Sequence, residues 1–375
     1  SLETMMRDLA ARPAGPDLYE VFILSDTRSA EKAAIEARLA ARLRRAVPDI
    51  PLWYRHRTDN QGHKSGNIAD FCRSWGGRYD YLLVLDADSV MAASTMRRMV
   101  ALMDANPDSG LIQAPVRARR ADTGFAFLQA FAMKVYGPLF EHGAAFLNLG
   151  DGNYYGHNAI LRAEAFAGEG CLPELSGRPP RGGLVLSHDF IEAAFLRRAG
   201  WRVWMAPELT ESFEECPPNL IAFANRDRRW CQGNLQHLRI LPVRGLHPMS
   251  RFHLGWGALA YVGALLWLLF LVLGAGVIAE RELGIHDYFD ASRRLFPIWP
   301  VFDLEQATLL LGATIALLML PRALAVLHFI ASTGAWLSPI RSGRVLGLFA
   351  VEVAHSTLTA PVMMVCHLRF VFAFA

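Results

Sequence analysis

Hydrophobic and polar positions along this chain fall into two regimes. Up to about residue 250, short apolar runs alternate with amphipathic stretches; beyond it, apolar runs become long enough to cross a bilayer. Tyr81-Leu82-Leu83-Val84-Leu85 is the clearest short run, and it reads as a buried parallel strand. Tyr19–Leu24, Pro51–Arg55, Gly110–Gln113, Ala159–Leu161 and Arg202–Ala206 read as further strands. Helical patterns lie between them. Leu2–Leu9 is a short helix broken by Pro13-Ala14-Gly15-Pro16, and Ala30–Ala46 is amphipathic and rich in Ala, Glu and Arg. Others run from Lys64-Ser65-Gly66-Asn67 to Trp75, and over Ser94–Ala105, Gly124–Phe146, Phe190–Arg198 and Leu220–Ile240. Glu211–Pro218 is acidic and reads as irregular. Strand, helix and strand at this spacing predict βαβ units and a mostly parallel α/β sheet.

Leu254–Ala279 is an uninterrupted apolar stretch of about 26 residues, enough to span a bilayer core. Ala307–Leu320 opens a second span, whose end Pro321-Arg322 obscures, and Val345–Ala375 holds a third with Glu352 and His355 inside it. Bases flank the spans at Arg239, Arg244, Arg251, Arg341 and Arg344, whereas Glu280–Glu305 has more acids than bases. The positive-inside bias puts the polar half in the cytoplasm and the Glu280 loop on the far side. The expected division is therefore residues 1–219 as an α/β domain, 220–250 as an amphipathic interface helix, and 251–375 as a transmembrane region of about three spans.

Composition agrees with a polar half joined to a membrane half. The 375 residues are 53% hydrophobic and only 19% charged, with mean hydropathy +0.20. A net charge of +3 argues neither for nor against nucleic acid. The five cysteines are scattered without a C-x-x-C pair, which fits reduced thiols better than a disulfide framework. No secretory leader pattern opens the chain and residue 1 is not methionine, so the numbering is expected to start inside a longer protein.

The candidate chemistry begins where the Tyr81 run ends, at Asp86-Ala87-Asp88. Residues two apart on a strand share a face, and ligands of open α/β sheets bind beyond the carboxyl ends of the strands. Two carboxylates there can hold Mg²⁺ or Mn²⁺ against a nucleotide diphosphate, since hard cations take oxygen ligands. The competing reading is a strand ending in a turn aspartate. Downstream and upstream lie Asp26 at another strand end, Asp189 opening a helix, and Arg226-x-x-Arg229-Trp230 just before the first span.

This order of D, DxD, D and RxxRW resembles the processive family 2 glycosyltransferases, which include cellulose and hyaluronan synthases. The strings FILSDT, KSGNIADFCRSWG, LVLDADSV, YGHNAILR, LSHDFIEAAFLRRAGW and RDRRWCQGN are most similar to the branch that builds the backbone of osmoregulated periplasmic glucans in Gram-negative inner membranes. The resemblance implies a GT-A, Rossmann-like domain joined to a transmembrane helical bundle. It implies inverting transfer of glucose from UDP-glucose to a growing β-glucan, coupled to export. Asp189 matches the family's general base and Trp230 its aromatic acceptor floor, with Arg229 beside it. Asp26, Lys64, Asp86 and Arg226 fall on the donor side, and Asp86 and Asp88 on a metal, Mg²⁺ or Mn²⁺. The implied partners are UDP-glucose, the glucan acceptor, the lipid bilayer and acyl carrier protein, with no nucleic acid. Two departures stand out: Arg226 replaces the Gln of cellulose synthases, and the first GT-A strand, expected ahead of Leu2, is absent.

Simpler readings stand beside these. Asp26 could cap the Ala30 helix, Asp189 or Ser187 could be a plain N-cap, and Lys64 could be a solvated loop lysine. Trp230 could anchor at the membrane interface, and His157 could be an ordinary hydrogen-bonded loop histidine. Glu352 and His355, four apart on one helix, could line a polar glucan path. At the level of the whole chain the alternatives are another family 2 polysaccharide synthase, cellulose-like or hyaluronan-like, and a non-catalytic glucan transport subunit.

Overall fold

The computed structural model describes residues 2–11, 19–169, 172, 174–283 and 303–374. The expected break at Pro13–Pro16 and most of the Glu280–Glu305 loop lie outside them. The chain divides into two compact units, Ser1–Ala260 with Arg369–Ala375, and Tyr261–Leu368.

In the first unit, α1 (Leu2–Ala10) precedes β1 (Val21–Ser25), α2 (Ala30–Ala46) and β2 (Leu52–His56), and β1 and β2 pair in parallel across the α2 crossover. Next come α3 (His63–Trp75), β3 (Tyr81–Val84), β4 (Val90–Met91), α4 (Ala93–Ala105), β5 (Ser109–Gln113) and β6 (Arg117–Arg119). The aromatic stretch at Gly124 forms two helices, α5 (Gly124–Val135) and α6 (Gly137–Asn148), because Pro138 favours a helix start and breaks a continuous one. β7 (Ala159–Arg162), α7 (Ala163–Glu169), α8 (His188–Arg198), β8 (Arg202–Met205), β9 (Ser212–Glu215) and α9 (Leu220–His237) complete the globular part.

The main sheet has the order β3-β7-β5-β8. It is mixed rather than mostly parallel: β5 and β8 run together, but β7 is antiparallel to both β3 and β5. Apolar run length signals burial and carries no information on direction, so the sequence could not reveal the reversal. A second sheet, β4-β9-β6, was not anticipated, and β9 lies inside the segment read as irregular. Its strands have two, three and four residues, too short and too charged to display an alternating pattern.

Period-two alternation gives the main sheet two apolar faces. Ile112 and Ile160 face a methionine-rich layer with Met5, Met6, Met91, Met96, Met99 and Met103. Leu111, Ala159 and Leu161 face the other way, onto Phe71, Phe166, Ala193 and Leu196. A third cluster packs α8 against the chain beyond α9, through Ile191, Phe195, Ile240, Leu246 and Leu254.

Among the described residues, three helices are long and apolar enough to cross a membrane: α10 (Pro248–Leu283), α11 (Leu304–Ser332) and α12 (Pro339–Phe374). Pro321 lies inside α11 and does not end it. Within the second unit, Ala264, Met364 and Leu368 pack together, Tyr261 meets His367 edge to face at 5.1 Å, and Arg322 Nη1 lies 3.6 Å from Glu352 Oε2.

One close approach ties α9 to the start of α8. A Cβ at Gly233 would lie 2.6 Å from the Ser187 backbone nitrogen. His237 Nε2 also donates to the Ser187 carbonyl at 2.8 Å, and the Gln236 side-chain oxygen accepts the Leu186 N–H at 3.1 Å. Gly233→Ala should therefore destabilise the protein by about 1–3 kcal/mol, the usual effect of overpacking against backbone. Thermal unfolding in detergent checks this, with Gly255→Ala, where a Cβ meets nothing within 4 Å, expected to be neutral or stabilising.

Candidate active site

Asp86 and Asp88 lie beyond the end of β3, in the turn that leads to β4. The Ser89 N–H donates to the Asp86 carbonyl and the Asp86 N–H to Ser89 Oγ, each at 3.1 Å. The strand-face argument for the pair therefore does not apply: a turn orients them. Asp86 lines a cavity of about 690 Å³ with Asp26, Asn60, Lys64 and Asn67. Asp88 opens instead onto a cavity of about 300 Å³ with Arg119, Arg120 and Glu215. The larger cavity is bounded by β1, through Phe22 and Leu24, and by β3. Among the described residues, β1 pairs only with β2 and β3 only with β7.

Asp26 is held at the polar end of that cavity. Arg57 grips its carboxylate from Nε at 2.9 Å and Nη2 at 2.8 Å, Asn67 donates to Oδ1 at 2.9 Å, and Asn60 donates to the Asp26 carbonyl at 2.7 Å. It does not cap α2, because Ser29 accepts the Lys32 N–H in that role. Lys64 is no solvated loop lysine either. Its ammonium is paired with the Asp86 carboxylate and donates to the Gly156 carbonyl at 2.8 Å.

Gly156 brings the third carboxylate in. It takes φ +87°, and a Cβ there would lie 3.4 Å from Asp189 Oδ2. Gly156 is thus both the acceptor for Lys64 and the close neighbour of Asp189. The buried Gln113 side chain, at the end of β5, fixes this loop: it accepts the Tyr155 N–H at 3.0 Å and donates to the His157 and Asn158 carbonyls at 2.9 and 3.2 Å.

Asp189 lies in the first turn of α8, whose Ser187 cap makes no side-chain hydrogen bond. Burial pushes its carboxyl up from the ordinary aspartate range; His188 opposes that shift, Glu192 adds to it, and the Asp189 and Phe190 backbone N–H groups hold it back. His188 Nδ1 lies 3.0 Å from Glu192 Oε1. Burial disfavours the charged imidazole, yet the Glu192 carboxylate outweighs that and the His188 pKa is raised.

Arg226 and Trp230 stack on α9, the guanidinium carbon 4.7 Å from the ring centroid. Glu214 Oε1 lies 3.7 Å from Arg226 Nη1, and its Oε2 lies 3.5 Å from His157 Nε2. The Trp230 ring is 47% exposed and so free to meet a ligand, and Arg229 is exposed on the same helix.

The structure thus joins Asp86, Lys64 and Asp189 through Gly156, and Arg226 to Trp230. Asp88 and Arg229 sit on the same elements as these residues without a direct contact to them. Sequence reasoning missed Arg57, Asn67, Glu192 and Glu214. Asn67 and Glu192 lay within the quoted strings KSGNIADF and LSHDFIEAAF, whereas Glu214 was hidden in the unanticipated β9. Three of the four non-glycine residues with left-handed backbone among the described residues, His63 at +49°, Arg120 at +55° and Asn158 at +51°, adjoin Lys64, Asp88 and His157. Such local strain clusters at functional sites.

A model for glycosyl transferase family group 2 matches residues 81–337, from the Asp86 strand through the second long apolar helix. The chain belongs to this family. It combines the GT-A domain and helical membrane part that the resemblance implied, with mixed sheets. The glucans biosynthesis glucosyltransferase H of Bradyrhizobium diazoefficiens is 47% identical over 99% of this chain and 49% of that protein. The protein of the same name from Shewanella oneidensis is 44% identical over 98% of this chain and 51% of that protein. The chain spans about half the length of the curated relatives it matches. Among solved structures, the crystal structure of S. aureus TarS 1-349 aligns with TM-score 0.41 and 13% identity over 68% of this chain and 66% of that one.

His237 gives the α9–α8 contact a pH dependence. It is fully buried, and burial lowers its pKa to about 4, against a weak opposing hydrogen bond to Ser187. Its Nδ1 is buried without a partner, so a proton there would be an unpaired buried charge. A depressed histidine pKa stabilises the fold above the unfolded value near 6.5, and that stability is lost as pH falls from 6.5 towards 4. The loss should reach about 3 kcal/mol at pH 4. Unfolding measured between pH 7 and 4.5 should show a shallower decline in His237→Gln than in the parent.

Proposed function

We propose that this chain carries the catalytic centre of a membrane-bound inverting glucosyltransferase. It moves glucose from UDP-glucose to a growing β-glucan, the backbone of osmoregulated periplasmic glucans, in the bacterial inner membrane. The observation that carries this reading is the Lys64 ammonium. It links Asp86 to the Gly156 carbonyl, and Gly156 packs against Asp189, so a donor-side carboxylate and a candidate base share one scaffold. The names of the curated relatives supply the sugar and the product class.

Inverting transfer requires a base on the acceptor hydroxyl and neutralisation of the leaving diphosphate. Asp189 is the base: burial raises its proton affinity, while the helix-start N–H groups keep the carboxylate form accessible. Lys64, Arg226 and Arg229 supply positive charge to the departing UDP. Trp230 offers an exposed ring on which the acceptor sugar stacks. Asp26, oriented by Arg57 and Asn67, faces the nucleotide from the far end of the larger cavity.

The carboxylates also suit a divalent ion. Asp88 is exposed, and burial raises the Glu214 pKa, with His157 and Arg226 opposing that rise and Asp88 and Asp86 adding to it. No cluster of three or more His, Cys, Asp or Glu side chains forms a metal cage among the described residues. Mg²⁺ can be held by one or two carboxylates and completed by substrate phosphates. Asp88, with Asp86 in support, would hold the ion, which when bound neutralises the diphosphate.

The basic flanks at Arg239, Arg244, Arg251, Arg341 and Arg344 favour a cytoplasmic catalytic half. Export coupling draws support from the foot of α10, where Gly257 approaches Asn234, the residue that donates to the Trp230 carbonyl at 2.9 Å. Trp230 and the Gly257 foot of α10 thus share Asn234 as a neighbour within one compact unit.

Purified membranes containing the full-length protein should release UDP from UDP-glucose, and Asp88→Ala or EDTA should abolish that release. Undiminished turnover in EDTA would remove the metal. Asp189→Asn should retain UDP-glucose binding while losing turnover by about 10²–10⁴-fold. Because a raised acid pKa moves loss of the carboxylate to higher pH, the acid limb of kcat should lie above the usual aspartate value of about 3.9. A limb at that value, or an equal loss of donor affinity in Asp189→Asn, would argue against Asp189 as the base.

A further inference from the structure

Glu214 is assigned no role by the family motifs, yet it stands where the two halves of the candidate site meet. The strand that carries it, β9, pairs with β4, the two residues that follow the Asp86–Asp88 turn, in the register Val90 with Phe213 and Met91 with Ser212. On its other side β9 runs parallel to β6, with Glu214 opposite Ala118. The backbone of Glu214 is therefore fixed to the segment that presents the donor-side carboxylates.

Its side chain reaches the other way. One carboxylate oxygen lies 3.7 Å from Arg226 Nη1, and the other lies 3.5 Å from Nε2 of His157, the residue after Gly156. The Arg226 guanidinium in turn lies over Trp230 at 4.7 Å. Arg226 Nε is buried without a hydrogen-bond partner, so the guanidinium's orientation rests on the Glu214 contact and the indole face. An exposed indole alone holds a cation weakly. Without the Glu214 charge, the guanidinium would keep only the indole face as a partner.

We propose that Glu214 is a positioning residue for glycosyl transfer: it anchors Arg226 over Trp230 and so sets the acceptor platform relative to the donor-side turn. The proposal rests on the reading of Trp230 as the acceptor floor. It concerns placement, so donor affinity should survive the loss of Glu214 while turnover should not.

Two measurements on the full-length protein test it. The first needs no turnover. Subtracting the fluorescence of Trp230→Phe from that of the parent isolates the emission of Trp230, and repeating the subtraction on a Glu214→Gln background reports the same ring without its partner. Emission should shift to the red in Glu214→Gln and stay near the parent in Glu214→Asp. An unchanged difference spectrum in Glu214→Gln overturns the placement. The second is kinetic. Glu214→Gln should lower kcat for UDP-glucose-dependent glucan synthesis about tenfold or more with donor KM within about twofold. The double variant with Arg226→Gln should lose no more than the worse single variant. Multiplying losses, or a raised KM with kcat intact, would make Glu214 an independent or donor-binding group and overturn the proposal. If the parent turns over no UDP-glucose, the glucosyltransferase reading fails, and the fluorescence comparison still decides whether Glu214 places Arg226.

Discussion

The arrangement depends on keeping like charges close together. Asp86, Asp88, Glu214, Asp189 and Glu192 converge from the β3–β4 turn, β9 and the start of α8, each within electrostatic reach of another member of the group. Two unit charges 4 Å apart repel by about 1 kcal/mol in water and by about 4 kcal/mol at the effective dielectric of a protein surface. The fold answers with basic side chains set among them. Lys64 pairs with Asp86, His188 with Glu192, and His157 and Arg226 flank Glu214. Burial, more than the neighbouring carboxylates, raises the pKa values of Asp189 and Glu214, and the adjacent His188 and His157 oppose the rise. A buried carboxylate with a raised pKa is a better proton acceptor than a solvated one.

Charge pairing of this kind works only if the backbone keeps each partner in place. Gln113 clamps the Tyr155–Asn158 loop, and that loop offers a carbonyl to Lys64 on one side and a side-chain-free surface to Asp189 on the other. A side chain at position 156 would strain the left-handed backbone, and its Cβ would already be in van der Waals contact with Asp189. Ser187 plays the matching part for α9, since Gly233 and His237 of that helix both rest on it two residues before Asp189. The Asp86–Asp88 turn, the start of α8 and helix α9 are thus referred to two short loops, each backed by a buried polar side chain.

Much of this was legible in the sequence because most motif residues sit at element ends, where a linear pattern and a three-dimensional position coincide. Asp26 follows β1, Asp189 opens α8, and the Arg226–Trp230 segment is helical, all as read. The long apolar helices were legible for a different reason: a bilayer sets a length that no short core helix imitates. What stayed hidden depends on partners distant in sequence. Arg57 meets Asp26 across 31 residues, and Gly156 meets Lys64 across 92. No local period encodes such pairs. The small sheet was lost because its strands are shorter than one alternation needs, and Glu214 was lost with it. The aspartate pair was found by type while its geometry was misjudged, since β3 stops at Val84 and the turn rotates Asp86 and Asp88 towards different cavities.

The membrane unit poses the charge problem again under harsher terms. Glu352 is buried on α12, and an isolated carboxylate in a hydrocarbon environment is costly enough that such residues pair or face a cavity. Here it pairs: Arg322 Nη1 of α11 lies 3.6 Å from Glu352 and donates to Ser356 Oγ at 3.2 Å. Arg322 directly follows Pro321, whose missing N–H leaves a carbonyl one turn back without its helical donor, so the polar groups gather where the α11 ladder is already interrupted. In the sequence, Glu352 was a candidate to line a glucan path. The observed contact gives it a prior role, because a carboxylate already neutralised across two helices is a joint between them before it is a ligand for sugar.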